Sequence, residues 1–156
     1  MSKFDFIFTQ EQQIRFRSGD LMLDWSERYP MLFDGRDVAI CRNQPDYHFF
    51  EWLGAVVLYE ATGYLSLIEK YETKSHPRKL DVFRSSVSPD VFDHVLNNRT
   101  GVPDLFAYKA DYSDWFFCEI KGGRDTLRDH QVARFREIAS ISGKQVAILC
   151  FNELRL

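Results

Sequence analysis

The sequence predicts a single α/β domain in which helices pack on a small mixed β-sheet. The chain has 156 residues and 45% hydrophobic content, which is enough for one packed core. Two short strands separated by a polar turn at 110–114 are followed by an amphipathic helix and another strand. A strand–helix–strand unit of this kind forms a right-handed crossover between parallel strands. A long, largely apolar helix precedes the strands, so the fold class is helices on a sheet.

The N-terminal part of the chain, residues 1–47, is predicted to be an extension made of helix and loop. A helix begins after Thr9, which stands in the position of an N-cap with a glutamine three residues later. Gly19 interrupts this helix and Pro30 ends it. Residues 32–47 are predicted as loop with short extended pieces.

Residues 48–156 are predicted to form the core, in one compact unit with the extension. The run from Phe49 to Tyr71 is apolar almost all round, which indicates a central and largely buried helix. Additional helical sequence follows at 69–98. The remaining predicted elements are a short helix capped by Ser88, antiparallel strands at 104–110 and 115–121, a helix at 129–142 and a strand at 144–151.

Charge and composition exclude several classes of protein. The net charge is −3 and the pI about 5.8, so the chain lacks the overall basic character that is usual in nucleic-acid-binding domains. Two local basic regions, 74–84 and 121–136, are read either as a nucleic-acid surface or as ordinary solvated charge. The longest apolar run is too short for a membrane span, and the N-terminus lacks the features of a signal peptide. Three widely spaced cysteines fit free thiols in a reducing compartment, so a cytoplasmic location is expected.

Three charged residues on the predicted hairpin indicate a site. Asp104 and Glu119 lie at similar distances from the turn, so the two strands bring them together. Glu119 and Lys121 are two residues apart in one strand and therefore share a face. Two neighbouring carboxylates suit Mg²⁺ or Mn²⁺, and a lysine beside them can stabilise charge on a phosphoryl oxygen. The alternative is structural: a turn acid at Asp104 and an edge-strand ion pair between Glu119 and Lys121.

The surrounding sequence resembles a known family. "GVPDLF", "EIKGGRDTLRDHQ" and "KQVAILCF" are similar to the VRR-NUC domain of the PD-(D/E)xK nuclease superfamily, and the match covers 100–151. "EWLGAVVLYEATGY" resembles the first helix of the nuclease domain in Fanconi-associated nucleases, as does the additional helical sequence that follows it. The resemblance implies a restriction-endonuclease-like core and metal-dependent cleavage of DNA.

The resemblance also implies roles for individual residues. Asp104, Glu119, the main-chain carbonyl of Ile120 and Glu51 would hold the metal, Lys121 would assist the nucleophile, and Gln131 would line the site. Glu60 competes with Glu51 for the helix position, because nine residues at about 100° each place the two acids on opposite faces. Glu51 is preferred on the resemblance. The histidines are not spaced as metal ligands, and His48 is a possible but unneeded site residue.

Four basic residues are candidates for phosphate contacts: Lys79, Arg99, Arg124 and Arg128. Their alternative role is plain surface charge. Branched or double-stranded DNA is the expected substrate, cut according to structure rather than sequence. The chain would serve in DNA repair or recombination or in phage replication, or it would be an interbacterial toxin delivered to a target-cell cytoplasm and neutralised by an immunity protein. Pairing as a homodimer is also open. The competing hypothesis is a non-catalytic module on the same fold that binds nucleic acid or protein.

Overall fold

The structure is a computed structural model that describes residues 1–155. Those residues form five strands and seven helices in an interleaved order. The strands are β1 (Ser2–Phe8), β2 (Leu65–Ile68), β3 (Leu105–Tyr108), β4 (Trp115–Gly122) and β5 (Ala147–Glu153). The helices are α1 (Gln10–Arg17), α2 (Asp20–Arg28), α3 (Gly35–Asn43), α4 (Pro45–Thr62), α5 (Pro77–Ser86), α6 (Pro89–Asn97) and α7 (Asp129–Ser142).

All five strands belong to one mixed sheet in the order β1-β5-β4-β3-β2. β1 and β4 run parallel to β5, whereas β3 is antiparallel to both β4 and β2. The predicted α/β class, the antiparallel β3–β4 pair and the parallel β4–β5 crossover are therefore confirmed. β4 lies in the middle of the sheet, with hydrogen-bonded neighbours on both sides.

Helices cover both faces of the sheet, and the sheet divides the hydrophobic core into two clusters. One cluster joins side chains of α1 to α4 to the sheet, and Trp52, Cys118 and Ile120 lie in it. The other joins α5, α6 and α7 to the opposite face and includes Phe106 and Phe135. Successive side chains of β4 point to opposite faces of the sheet, so this central strand contributes to both clusters.

The long central helix ends earlier than the sequence predicts. It stops at Thr62, and Gly63 follows with φ of +79°, a left-handed conformation that glycine adopts without strain. Leu65–Ile68 then form β2 at the sheet edge next to β3. The prediction of a helix to Tyr71 was wrong because a short, fully buried strand is as apolar as a buried helix, so periodicity does not separate the two.

The N-terminal residues 1–47 are more regular than predicted. The capping box at Thr9 and the interruption at Gly19 are confirmed. Ser2–Phe8, however, form β1, which extends the sheet beyond β5, and Gly35–Asn43 form α3 where a loop was predicted. Side chains of α1 and α2 pack in the same core cluster as α4, so this segment is continuous with the rest of the fold.

Of the region predicted as additional helical sequence, 69–98, only Pro77–Ser86 and Pro89–Asn97 are helical, whereas residues 69–76 form turns. α5 begins at Pro77, a position that proline favours because its missing N–H has no partner in the first turn. α6 begins at Pro89 after the predicted cap, with the Ser88 side chain accepting from the Val91 amide. Over residues 1–155, every helix is too short or too polar to cross a membrane.

Candidate active site

Asp104 and Glu119 meet across the β3–β4 pair, as counting from the turn predicts. Leu105 is opposite Cys118, so Asp104 follows in register next to Glu119. The Asp104 amide donates to Glu119 Oε1 at 3.2 Å, and the Ile120 amide donates to Asp104 Oδ2 at 2.9 Å. The alternative of an ion pair between Glu119 and Lys121 is wrong only in its location, because the pair forms on β4, which is an interior strand and not an edge strand.

Lys121 and Gln131 complete a polar network around Glu119. The side chains of Glu119 and Lys121 lie on one face of β4, with Lys121 Nζ 3.3 Å from Glu119 Oε2. Gln131, in the first turn of α7, donates to Glu119 Oε2 and accepts from Lys121 Nζ, both at 3.1 Å. Asp125, which the sequence did not place in the site, lies 3.4 Å from the same ammonium. Glu119 and Lys121 are only 5% and 6% exposed, so these are buried charges held by hydrogen bonds.

Glu51 approaches this group from α4. The helix lies very close to β4 because Gly54 faces Ile120, and a Cβ on that glycine would lie 2.6 Å from Ile120 Cδ1. Burial, together with the nearby charges of Glu69 and Glu119, raises the pKa of Glu51 to about 7. The competitor Glu60 lies elsewhere, because its carboxylate accepts a hydrogen bond from the Tyr29 hydroxyl.

The site brings together more acids than its basic side chains can pair. Burial raises the pKa of Asp104 well above its usual value, and the charges of Glu119 and Glu51 add to the shift. Between residues 1 and 155, no basic side chain forms an ion pair with Asp104 or Glu51 within 4.0 Å. Carboxylates that are crowded together in a buried place fit a divalent cation, which would remove their mutual repulsion. The donors present are carboxylate oxygens, the ligands that Mg²⁺ and Mn²⁺ prefer.

Two further side chains lie beside Glu51: His48, which the sequence offered only as a possible but unneeded site residue, and Glu69, which it did not place in the site. One donor atom from each of His48, Glu51 and Glu69 lies within 4.8 Å of the others. His48 precedes Glu51 by three residues in α4, and this spacing could have indicated a shared face once the helix was assigned. Glu69 had no such signal, because the sequence placed it inside a helix whereas it directly follows β2.

Lys79 is not a phosphate contact. Its side chain is buried with 1% exposure, and its Nζ lies 2.5 Å from Asp37 Oδ1 and 2.5 Å from the Ile68 carbonyl oxygen. The sequence reading of 74–84 as one basic face was wrong at this position, because the lysine points inward from α5 and is neutralised there by an acid of α3.

The three candidate arginines are all exposed. Arg99 lines a surface pocket that also includes Glu69 and Asp104. Arg124 lines a second pocket together with Lys121 and residues of β1 and β5. Arg128 is the residue just before α7, and its amide donates to Gln131 Oε1 at 3.1 Å. Positive side chains thus stand beside the acidic centre on two sides.

Comparisons with known proteins add no name to this site. The chain matches no model of a known protein family, and a search of curated proteins finds no match either. What the fold and site define is an α/β protein with buried acids and a lysine clustered at the ends of adjacent strands.

Proposed function

We propose that this protein is a divalent-metal-dependent DNA nuclease of the PD-(D/E)xK type, with a restriction-endonuclease-like core related to the VRR-NUC domain. The observation that carries the proposal is the convergence of Asp104, Glu119 and Lys121 on neighbouring strands, with Glu51 entering from α4. Burying this many charges is costly for a purely structural purpose, since apolar residues would stabilise the same positions more cheaply.

Each residue has a role that its position supports. Asp104, Glu119, Glu51 and the Ile120 carbonyl would hold Mg²⁺ or Mn²⁺. A divalent cation supplies Lewis acidity toward a phosphodiester and makes water a stronger acid. The side-chain nitrogen of Lys121 lies 3.3 Å from Glu119 Oε2, close enough to stabilise the negative charge that would develop during hydrolysis.

Gln131 has a positioning role in this proposal. It bridges Glu119 and Lys121 with one hydrogen bond to each, and it thereby fixes the direction of both side chains. Asp125 holds the same ammonium from the loop before α7. The lysine is therefore oriented before any substrate arrives, which is the arrangement that electrostatic catalysis requires.

The substrate in this proposal is double-stranded or branched DNA. Arg99 and Arg124 border the pockets on either side of the acids, and Arg128 stands beside Gln131, so phosphates on both sides of a cut would meet positive charge. Such contacts read the backbone and not the bases, which favours selection by DNA structure. The proposal includes a role in DNA repair or as an interbacterial toxin. The protein would act in the cytoplasm of the producing cell or of a target cell. An immunity protein or a second copy of the chain would be its partner.

The test is cleavage of supercoiled, linear, single-stranded, flap and four-way-junction DNA with Mg²⁺ or Mn²⁺. Asp104→Asn, Glu119→Gln and Lys121→Ala should each abolish cleavage while circular dichroism shows an intact fold. Glu51→Gln and Glu60→Gln form a matched pair on one helix, and only the first should lose activity. Full cleavage by the Asp104, Glu119 and Lys121 variants would refute the assignment. DNA that is bound but never cut by the unmodified protein would favour the non-catalytic binding module.

A further inference from the structure

A second group of metal-binding side chains lies beside the proposed catalytic acids. It consists of His48 and Glu51 from the first turns of α4 and of Glu69 from the end of β2. Each offers one donor atom, and the three atoms lie within 4.8 Å of one another. Ligands on opposite sides of a small divalent ion stand about 4.4 Å apart for metal–ligand distances near 2.2 Å, so only a small inward movement would close such a site.

Unsatisfied buried atoms in this group point to a missing partner. His48 is only 8% exposed, and its Nε2 is buried without a hydrogen-bond partner. Glu51 Oε2 is buried and unpartnered in the same way. Leaving such an atom unpaired in the interior is unfavourable, and more so when the group is charged. Within the described part of the chain, neither Glu51 nor Glu69 forms an ion pair, so a cation would satisfy the nitrogen and both carboxylates together.

Glu69 is held in place by contacts on both sides of the sheet edge. Its backbone has φ of +49°, a left-handed conformation that is uncommon for a residue with a side chain. The Glu69 amide donates to the Asp104 carbonyl oxygen at 2.9 Å, so the backbone of Glu69 is joined directly to that of Asp104. Lys79 Nζ donates to the Ile68 carbonyl oxygen at 2.5 Å and to that of Glu69 at 3.5 Å.

Space for a small guest is present next to these residues. A cavity of about 10 Å³ is bordered by His48 and Glu69, and Lys70 and the paired Lys79 and Asp37 also line it. That volume accommodates about one water molecule or one ion, and nothing larger.

From this geometry we propose that His48, Glu51 and Glu69 form a second divalent-cation subsite that takes Mn²⁺ in preference to Mg²⁺. Imidazole nitrogen favours transition metals, whereas an all-oxygen site does not discriminate in this way. Glu51 would stand between the two subsites, since its charge acts on Glu69 as well as on Glu119. The inference rests on the proposed metal-dependent hydrolysis, but metal binding alone tests it.

Electron paramagnetic resonance of the full chain loaded with Mn²⁺ tests the nitrogen ligand. Pulsed spectra of the unmodified protein should show a directly coordinated ¹⁴N nucleus. His48→Gln should lose that coupling, and the exposed His130→Gln should keep it. Asp104→Asn, which alters only the neighbouring catalytic group, should keep it as well. Absence of ¹⁴N coupling in the unmodified protein, or its persistence in His48→Gln, would overturn the proposal.

Mn²⁺ titration monitored by the signal of the free ion tests the carboxylate. The unmodified chain should bind two Mn²⁺ ions, and Glu69→Gln should weaken one of them at least about tenfold, since even changes outside the first ligands cost metal sites 10–100-fold. Glu72→Gln is the matched control, because this half-buried acid lies three residues away and outside the cluster. Two equally tight ions in Glu69→Gln would contradict the proposal.

The outcomes separate this inference from the proposed function. If the unmodified protein shows ¹⁴N coupling but cuts none of the DNA substrates, nuclease activity fails and the subsite stands. If the protein cuts DNA with Mn²⁺ and no nitrogen is coordinated, the subsite fails and the proposed function stands.

Discussion

The buried pair of Lys79 and Asp37 predicts a large loss of stability when the lysine is removed. Lys79→Met keeps most of the side-chain volume and deletes the charge. It leaves Asp37, 5% exposed, without the ammonium that lies 2.5 Å from its Oδ1. Removing one partner of a buried pair costs about 3–5 kcal/mol, a large part of the 5–15 kcal/mol that stabilises a typical domain. At about 2–4 °C per kcal/mol, Tm should fall by about 6–20 °C.

The pH dependence of this loss has a definite sign. Burial raises the pKa of Asp37 above the usual value of 3.8, and Lys79 opposes the rise, while Arg78 and Asp34 are the other charged groups that face it. Without Lys79 this pKa rises further, so the folded variant binds a proton at a pH where the unfolded chain does not. The stability lost at neutral pH should therefore be partly recovered as the pH falls toward about 4.

Urea denaturation at pH 7.5 and pH 5 measures both effects. Lys74→Met is the matched control, because this lysine is exposed and should change stability by no more than about 0.5 kcal/mol. The double variant Lys79→Met with Asp37→Asn removes both charges and should recover much of the loss. A cost below about 1 kcal/mol for Lys79→Met, or weaker DNA binding at unchanged stability, would refute the assignment of Lys79 as a buried structural residue.

Three further predictions follow from the site and its supports. Lys121→Met should lower the rate of DNA cleavage at least about 100-fold in protein that circular dichroism shows to be folded, and it should also lower Tm because it removes one partner of a buried pair; a rate within a few-fold of normal would contradict the role of the ammonium. Mn²⁺ at 100 times its Kd should stabilise the protein in thermal unfolding by about 2.7 kcal/mol for each site that it fills, and it should stabilise Asp104→Asn measurably less. Gly54→Ala should cost about 1–3 kcal/mol, because its Cβ would lie 2.6 Å from Ile120 Cδ1, whereas Gly35→Ala in open space should cost nothing.

The pairing of Asp104 with Glu119 could be predicted because it depends only on local counting. A tight turn fixes which residues of a hairpin stand opposite each other, so Asp104 and Glu119 met as expected. Glu51 was placed by resemblance to a known helix, and the contact between Glu60 and Tyr29 agrees with the opposite faces that helix geometry assigns to the two acids.

The cluster of His48, Glu51 and Glu69 could not be predicted, because the position of Glu69 depends on where α4 ends. A buried edge strand and a buried helix are equally apolar, and the sequence after Thr62 carries no alternation to separate them. Gly63 was the one local signal for a helix end. Once β2 is assigned, Glu69 moves from a helix to a strand end beside Asp104, and the cluster with His48 follows.

Lys79 is buried where three wrongly predicted segments of the chain meet. Its ammonium joins Asp37 of α3 to the carbonyls at the end of β2, so one side chain links three elements that the sequence described as loop, helix and basic surface. Charge alone did not reveal this, because an inward lysine and a phosphate-binding lysine look alike in a sequence. The strand end that it holds carries Glu69, so the loss of this buried pair should also loosen the geometry of the proposed Mn²⁺ subsite.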